Sequence, residues 1–573
     1  MKPWLWVGFL AAVSWLYTAV NFRGLENHPG YYGNSYQAIH PGSFPNDPFM
    51  TPTRPTMLSL FYGLAKLFGE VWLDDRLIFF MYLGLVVMAL CAVDKTARLL
   101  GADRFLERLT LLSFMALGHS MGLSNHALVV NETEFNATTL AGPVGLWTLY
   151  VALSGKRLRV VAGWLLLLWI ISMKAAWVPT LMVGAILFLD RVPRKKKPLV
   201  IGAGVLLTAV AFLIYRLFLH PDVAADALLF DDLHFNYDTT EADPFMDPWW
   251  GNFYFFAISM AGLWLGKSRS APWRRVGVCA GAGLAVWALG GLYLNFSPDL
   301  LKIPAFLPFN FTRGLWWPQY ILFLSIGVFS LKRIQHSPAT RGFFFALAAF
   351  LILDLTPFRF KRFFVLGLLL IVPWLVQAVR RGWKQIVPHR SRLRIVAAAV
   401  CLSSLIALSS TAFSQRRHFI FLAKHGVMGD NPSSKWIGIN EYVREHTRSS
   451  DRVLALSMRD YYWRPERLIY DGSLRVRAGR SMPVGPCYVF YFDYDKLQWA
   501  KYLGWLVGEH FVDRWKAHDS EGVLRVLKQV GMPELLVVPT DKAQWLPVAA
   551  AWPYEPETTI RDFTILRKKA AAA

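Results

Sequence analysis

Acidic residues are scarce in this chain: 39 Asp and Glu stand against 61 Lys and Arg, a formal net charge of +22, and charged residues of both signs make up only 17% of the 573 positions. With 54% hydrophobic residues and 24 Trp, the composition excludes an ordinary soluble domain and describes a chain that lives largely in lipid. Cysteine is rarer still. Of the four, Cys91, Cys279 and Cys401 fall inside apolar runs and only Cys487 lies in the polar C-terminal third, so no disulfide framework is available. Internal repeats and low-complexity tracts are lacking, which removes the two similar halves typical of many transporters. The positive excess sits in short loops between apolar runs, as at Arg191, Arg194, Lys195, Lys196 and Lys197. That is a topology signal rather than a nucleic-acid footprint, and no nucleic-acid partner is expected.

What is present is a long series of apolar runs. Residues 4–21, 77–99, 107–125, 139–154, 160–173, 175–190, 198–218, 252–266, 275–294, 316–332, 342–355, 363–379 and 394–413 each approach the length of a membrane helix, which predicts a polytopic α-helical membrane protein of about 13 transmembrane helices. The stretches Lys95–Arg108, Lys156–Arg159, Arg191–Lys197, Lys267–Arg275, Lys332–Arg341 and Arg380–Arg394 are basic; placing them inside makes every intervening loop external. This holds only if 160–190 is a hairpin of two short helices, because both its ends are basic. Met57–Leu67 cannot be a full span without reversing the rest, so it is expected to lie along the interface outside. The first apolar run is read as a retained span rather than a cleaved signal peptide. After about residue 414 the composition turns polar. Periodic apolar positions from Trp436 to Val443, a short strand Val453–Leu456, a helix Gly522–Val530, a strand Glu534–Val538 and a final strand Phe563–Leu566 predict a C-terminal α/β extracytoplasmic domain. The expected division is therefore 1–413 in the membrane, with an external first loop 22–76, and 414–569 outside; Ala570–Ala573 reads as an appended tail.

Candidate functional residues lie in the external segments. The turn Arg359-Phe360-Lys361-Arg362 is basic on the side where basic loops are not expected, so Arg359, Lys361 and Arg362 are candidates for holding an anion at headgroup level, a lipid phosphate being the nearest. Lys174 interrupts the apolar hairpin. It reaches the same phosphate from the hairpin tip, snorkels to the interface, or pairs with an acid such as Asp354. Arg313 stands before Gly314-Leu315-Trp316-Trp317 as a phosphate clamp or an interfacial anchor. In the first loop, Glu26 and Asp47 are carboxylates beside aromatics that can take a proton from an acceptor hydroxyl, or equally a solvated residue and a turn cap. Glu132 and Glu134, two apart in an extended loop, face one way and either hold a divalent cation weakly or supply negative charge to a following helix N-terminus. The loop ending in Trp249-Trp250 is acidic and aromatic, suited to a sugar or merely soluble.

A first span followed by a long external loop with an early acid, a His28-x-x-Tyr31 stretch, then His40-Pro41 to Phe44-Pro45-x-Asp47, an interfacial helix, a dozen or so spans and a C-terminal external domain resemble the GT-C superfamily of integral membrane glycosyltransferases. The resemblance covers nearly the whole chain in layout. It implies a sugar donor carried on a polyprenyl phosphate, a glycan, lipid or protein acceptor outside the membrane, and a carboxylate base in the first external loop, which carries over to Glu26 or Asp47, with His28 and Tyr31 in the acceptor loop. Beside His28 relatives often have Asp where this chain has Asn27. No cofactor is required on this reading, a divalent cation (Mg or Mn) being optional, and the expected location is a bacterial inner membrane with the C-terminal domain periplasmic. The other reading is a non-catalytic GT-C-like scaffold, or a transporter or flippase for a lipid-linked anion.

Overall fold

A computed structural model describes residues 6, 10, 14, 35–44, 60–73, 75–103, 107–108, 111–112, 137–199, 202, 206, 249–268, 270–296, 314–333, 437–456, 478, 480–481, 510–543 and 552–569. Its helices are α1 (Leu60–Phe68), α2 (Asp75–Leu99), α3 (Ala137–Ser154), α4 (Leu158–Ile171), α5 (Met173–Arg191), α6 (Trp249–Leu265), α7 (Ala271–Phe296), α8 (Trp316–Arg333), α9 (Ile437–His446), α10 (Phe511–Lys516), α11 (Ser520–Gln529) and α12 (Thr540–Ala543). The strands are β1 (Val453–Ala455), β2 (Leu535–Pro539), β3 (Tyr554–Ile560) and β4 (Phe563–Lys568). They fall into two compact units, one of helices and one of mixed structure.

In the helical unit, α3 packs on α4 and α5, α5 on α7, and α7 on α6 and α8. Among the described residues, Leu77–Leu99 and Ala271–Leu292 are long and apolar enough to cross a bilayer, while Thr139–Ser154, Leu158–Ile171, Phe255–Leu265 and Trp316–Phe329 are shorter apolar helices. Large apolar side chains on the outside, including Leu158, Leu166 (62% exposed), Ile170, Leu181, Trp264 and Leu289, form a surface that calls for an apolar solvent. The expected spans 342–355, 363–379 and 394–413, and most of 4–21, 107–125 and 198–218, lie outside the described residues.

The hairpin is present. Its break falls at Ser172, not at Lys174 as the charge in the sequence suggested. Ser172 takes an extended conformation, ending α4 and capping α5, with its hydroxyl accepting from the Ala175 N–H at 3.4 Å. A hydroxyl satisfies an orphan helix donor, whereas Lys174 has no acceptor to offer and is carried as the second residue of α5. With 14 residues, α4 rises about 21 Å, less than the hydrocarbon core.

Two carboxylates of this unit, Asp94 and Asp190, are paired. Asp94 on α2 is 4% exposed. Its carboxylate accepts from Arg108 Nε at 2.5 Å and Nη2 at 2.8 Å and from Trp6 Nε1 at 3.2 Å, and pairs with Arg98 one turn on; the Arg108 guanidinium also lies 4.0 Å over the Trp6 ring. Asp190 on α5 accepts from Arg275 Nε on α7 at 2.6 Å. Close packing uses glycine where rings or backbones must approach: Trp317 occupies the space a side chain on Gly145 would fill, and a Cβ on Gly266 would lie 2.5 Å from the Gly277 Cα.

The second unit is a four-stranded mixed sheet of order β1-β2-β4-β3, with β1 parallel to β2 and the other pairs antiparallel. The apolar strands β1 and β2 are buried, as expected for the parallel part of a sheet covered by helices. β3, which the sequence reading omitted, is an exposed edge strand whose register shifts between Pro556 and Thr558. Proline and a bulge are acceptable there because an edge leaves one row of backbone groups free. Arg480 donates to the carbonyls of Arg444 and Thr447, closing the C-terminal end of α9 with a cation. Asp519 caps α11, and the Gly522 N–H it accepts, followed by the Arg514 guanidinium, holds its carboxyl below the usual range. Residues 35–44 belong to this unit: Phe44 is part of the core formed by β1, β2, β4 and α11, and Tyr36 packs against it. So does α1, a nine-residue helix with Phe61, Tyr62 and Ala65 buried and Leu67 and Phe68 exposed, the amphipathic form expected of an interfacial segment.

Replacing Asp94 with Ala removes the carboxylate that Arg108 and Arg98 share and leaves buried positive charge without compensation. The full chain in detergent should lose about 3–5 kcal/mol of stability, read as an earlier thermal unfolding, whereas Asp94→Glu should retain most of it. Equal unfolding of Asp94→Ala and the native chain would show that the cluster contributes nothing.

Candidate functional site

The helices of the first unit have two distinct ends. At one end, called here the basic end, α3 stops at Gly155-Lys156, α4 starts, α5 stops at Asp190-Arg191 and α7 starts near Arg275, all around one cavity. The other end holds the starts of α3, α5 and α8. There Gly314, just ahead of α8, lies against Trp177 and Val178 in the second turn of α5, so closely that a Cβ would overlap both. Two of the cations singled out in the sequence are therefore close along the chain to this contact: Lys174 is three residues before Trp177, and Arg313 directly precedes Gly314. Lys174 sits in the first turn of α5, where the helix dipole is already positive, so the hairpin tip favours an anion on two counts.

The first turn of α8 adds polar groups. Gln319 and Tyr320 are each 2% exposed, and neither the Gln319 amide nor the Tyr320 hydroxyl has a hydrogen-bond partner among the described residues. An amide left unpaired in an apolar setting costs about 1–3 kcal/mol, so these groups are either solvated internally or await a ligand. A polar pair directly after Trp316-Trp317-Pro318, inside an otherwise apolar run, was the signal for them, and the sequence reading passed over it. Trp249 and Trp250 open α6, where Asn252 accepts from Trp287 Nε1 at 2.8 Å. Ala137, the first residue of α3, follows the Glu132–Glu134 loop by three residues.

In the second unit, Phe44, three residues before Asp47 in the sequence, is buried, with the Tyr36 ring tilted against His40 at 4.6 Å and against Phe44 at 5.6 Å. His40 Nε2 lies 2.5 Å from Glu70. Glu70 is a further carboxylate of the first loop; its place after a glycine in a short 3-10 helix, rather than in a motif, gave the sequence reading no reason to select it. Glu26, His28, Tyr31, Asp47, Glu132, Glu134, Arg313, Arg359, Lys361 and Arg362 lie outside the described residues. Among the described residues no group of three His, Cys, Asp or Glu side chains forms a metal site.

No family model matches the chain, and no curated protein matches it. Among solved structures it is similar to the crystal structure of ArnT from Cupriavidus metallidurans bound to undecaprenyl phosphate, at 14% identity over 100% of this chain and 99% of that chain, with a TM-score of 0.42. At that level of likeness, what the chain does has to come from its own residues.

Gln319→Leu removes a buried amide with no partner among the described residues, so the thermal midpoint of the full chain in detergent should stay unchanged or rise. A lowered midpoint would make Gln319 a structural residue.

Proposed function

We propose that this chain is a membrane glycosyltransferase that moves a sugar from a polyprenyl-phosphate donor to an acceptor hydroxyl on the extracytoplasmic side. The observation that carries the reading is the meeting of the α5 N-terminus, with Lys174 in its first turn, and Gly314, which follows Arg313. Two helix starts, each with a cation beside it in the sequence, meet at one end of the helical unit, and a helix start with cations nearby suits a lipid phosphate.

On this reading the acceptor oxygen attacks the anomeric carbon as the bond from that carbon to the phosphate oxygen breaks, with inversion. Glu26 or Asp47 takes the hydroxyl proton. The electron pair leaves with the lipid phosphate, whose growing charge Lys174, Arg313, Arg359, Lys361 and Arg362 stabilise. Asp47 follows by three residues Phe44, which is packed in the core of the second unit, and a base that starts from a fixed point is a more effective one. Trp249 and Trp250, with His28 and Tyr31, offer ring faces and hydrogen bonds to the sugars. A divalent ion, if used, would take Glu132 and Glu134.

The test uses the full chain in nanodiscs with a panel of polyprenyl-phosphate sugars. Asp47→Asn or Glu26→Gln, one of the two, should lower turnover about a hundredfold while the protein still inserts. Glu70→Gln, which removes an acid already paired with His40, should leave turnover nearly unchanged. Arg359→Gln with Arg362→Gln should weaken binding of undecaprenyl phosphate. Full activity in both carboxylate variants would overturn the base assignment, and unchanged lipid-phosphate affinity in the arginine variant would overturn the clamp.

A further inference from the structure

The basic end of the helical unit contains a cavity of about 280 Å³ that the proposed reaction does not use. Its lining includes Gly155, Lys156, Asp190, Arg191 and Arg275. Three cations and one carboxylate give it a net charge of +2 by formal count. Arg275 is fixed rather than loose: its Nε donates to Asp190 at 2.6 Å and its Nη1 to the Leu153 carbonyl at 2.7 Å, and Gly155 clears the space its guanidinium occupies. Those two bonds use the Nε and Nη1 groups, so the rest of a five-donor fork is turned to other acceptors. Lys156 and Arg191 are exposed at the rim.

Two further features decide the ligand class. Outside the cavity the same helices present bare hydrocarbon: Leu158 and Val160 at the start of α4, Leu166 further along it, and Leu189 immediately before Asp190. A free anion would have no use for that surface. A phospholipid would place its phosphate in the cavity and its acyl chains along α4. In addition, Arg157, Arg159, Arg194, Lys195 and Lys196, next to the lining residues in sequence, are exposed, and positive charges near an anionic membrane surface are attracted to it.

We propose that this cavity, walled by the ends of α3 and α5 and the starts of α4 and α7, is a binding site for the phosphodiester headgroup of an anionic glycerophospholipid from the leaflet facing the basic loops. It is separate from the donor site at the opposite helix ends and does not depend on the chain being a transferase. The fixed Arg275 fork takes the phosphate, Lys156 and Arg191 close over it, and Asp190 holds the fork in place.

The test is lipid binding to the full chain purified in detergent, read by native mass spectrometry and by thermal unfolding, with dioleoylphosphatidylglycerol, dioleoylphosphatidylcholine and inorganic phosphate as probes. The expected result is a rise in unfolding temperature with phosphatidylglycerol that phosphatidylcholine and inorganic phosphate do not reproduce. Lys156→Gln and Arg191→Gln should each weaken phosphatidylglycerol binding about fivefold. Arg157→Gln with Arg159→Gln, which leaves the cavity lining intact, should cost less than either. If the Arg157 and Arg159 pair costs as much as Lys156 and Arg191, the attraction is diffuse and the cavity is not a site. If inorganic phosphate matches the lipid, the ligand is a free anion, and if phosphatidylcholine matches it, charge plays no part; either result overturns the proposal.

Discussion

A charge inside hydrocarbon costs several kcal/mol unless it is paired or reaches water, and the helical unit is arranged around that cost. Asp94 is surrounded by Arg98, Arg108 and the Trp6 indole, and Asp190 is paired with Arg275. Both acids lie toward helix ends that carry the basic loops, so the few carboxylates of this unit neutralise part of an excess that orientation requires. The consequence is an asymmetric body. One end collects cations because topology demands it, and cations at the other end need a separate reason to be there.

That asymmetry gives Lys174 its weight. Had the hairpin broken at Lys174 itself, the ammonium would have sat in an irregular turn with backbone carbonyls to hand. The break at Ser172 instead commits Lys174 to the first turn of α5, where the nearby backbone groups are donors and the dipole is positive. No local feature of a helix start stabilises a cation. Gly314, just ahead of α8, meets Trp177 and Val178 in the next turn of α5.

What could be read in the sequence depended on how local the signal was. The hairpin was legible because both of its flanks are basic, and α1 because a full span there would reverse the orientation of every later loop. β1, β2 and β4 were legible as apolar runs after a polar shift. The edge strand β3 was not, since Tyr554–Ile560 alternates mainly polar residues around Pro556, and the six-residue α10 carries too few turns for a period to show. Sheet order, the meeting of Gly314 with Trp177 and the seat of Phe44 among residues some 400 positions later are long-range facts that no window of sequence contains. For the site, Lys174 announced itself as a charge in an apolar run, whereas Gln319 and Tyr320 were masked by the aromatic residues around them and Glu70 matters only beside His40.

The docking of residues 35–44 on the C-terminal core bears on how a base in the first loop would work. A carboxylate on a free loop samples many positions, and most of the rate advantage of a positioned base is lost to that sampling. Here Phe44 is buried among β1, β2, β4 and α11, with the Tyr36 ring tilted against it, and Asp47 is three residues further along the chain, a reach of about 10 Å when fully extended. Glu26 has no comparable anchor among the described residues, being nine positions before Ser35. The C-terminal domain therefore acts on the first loop as a brace.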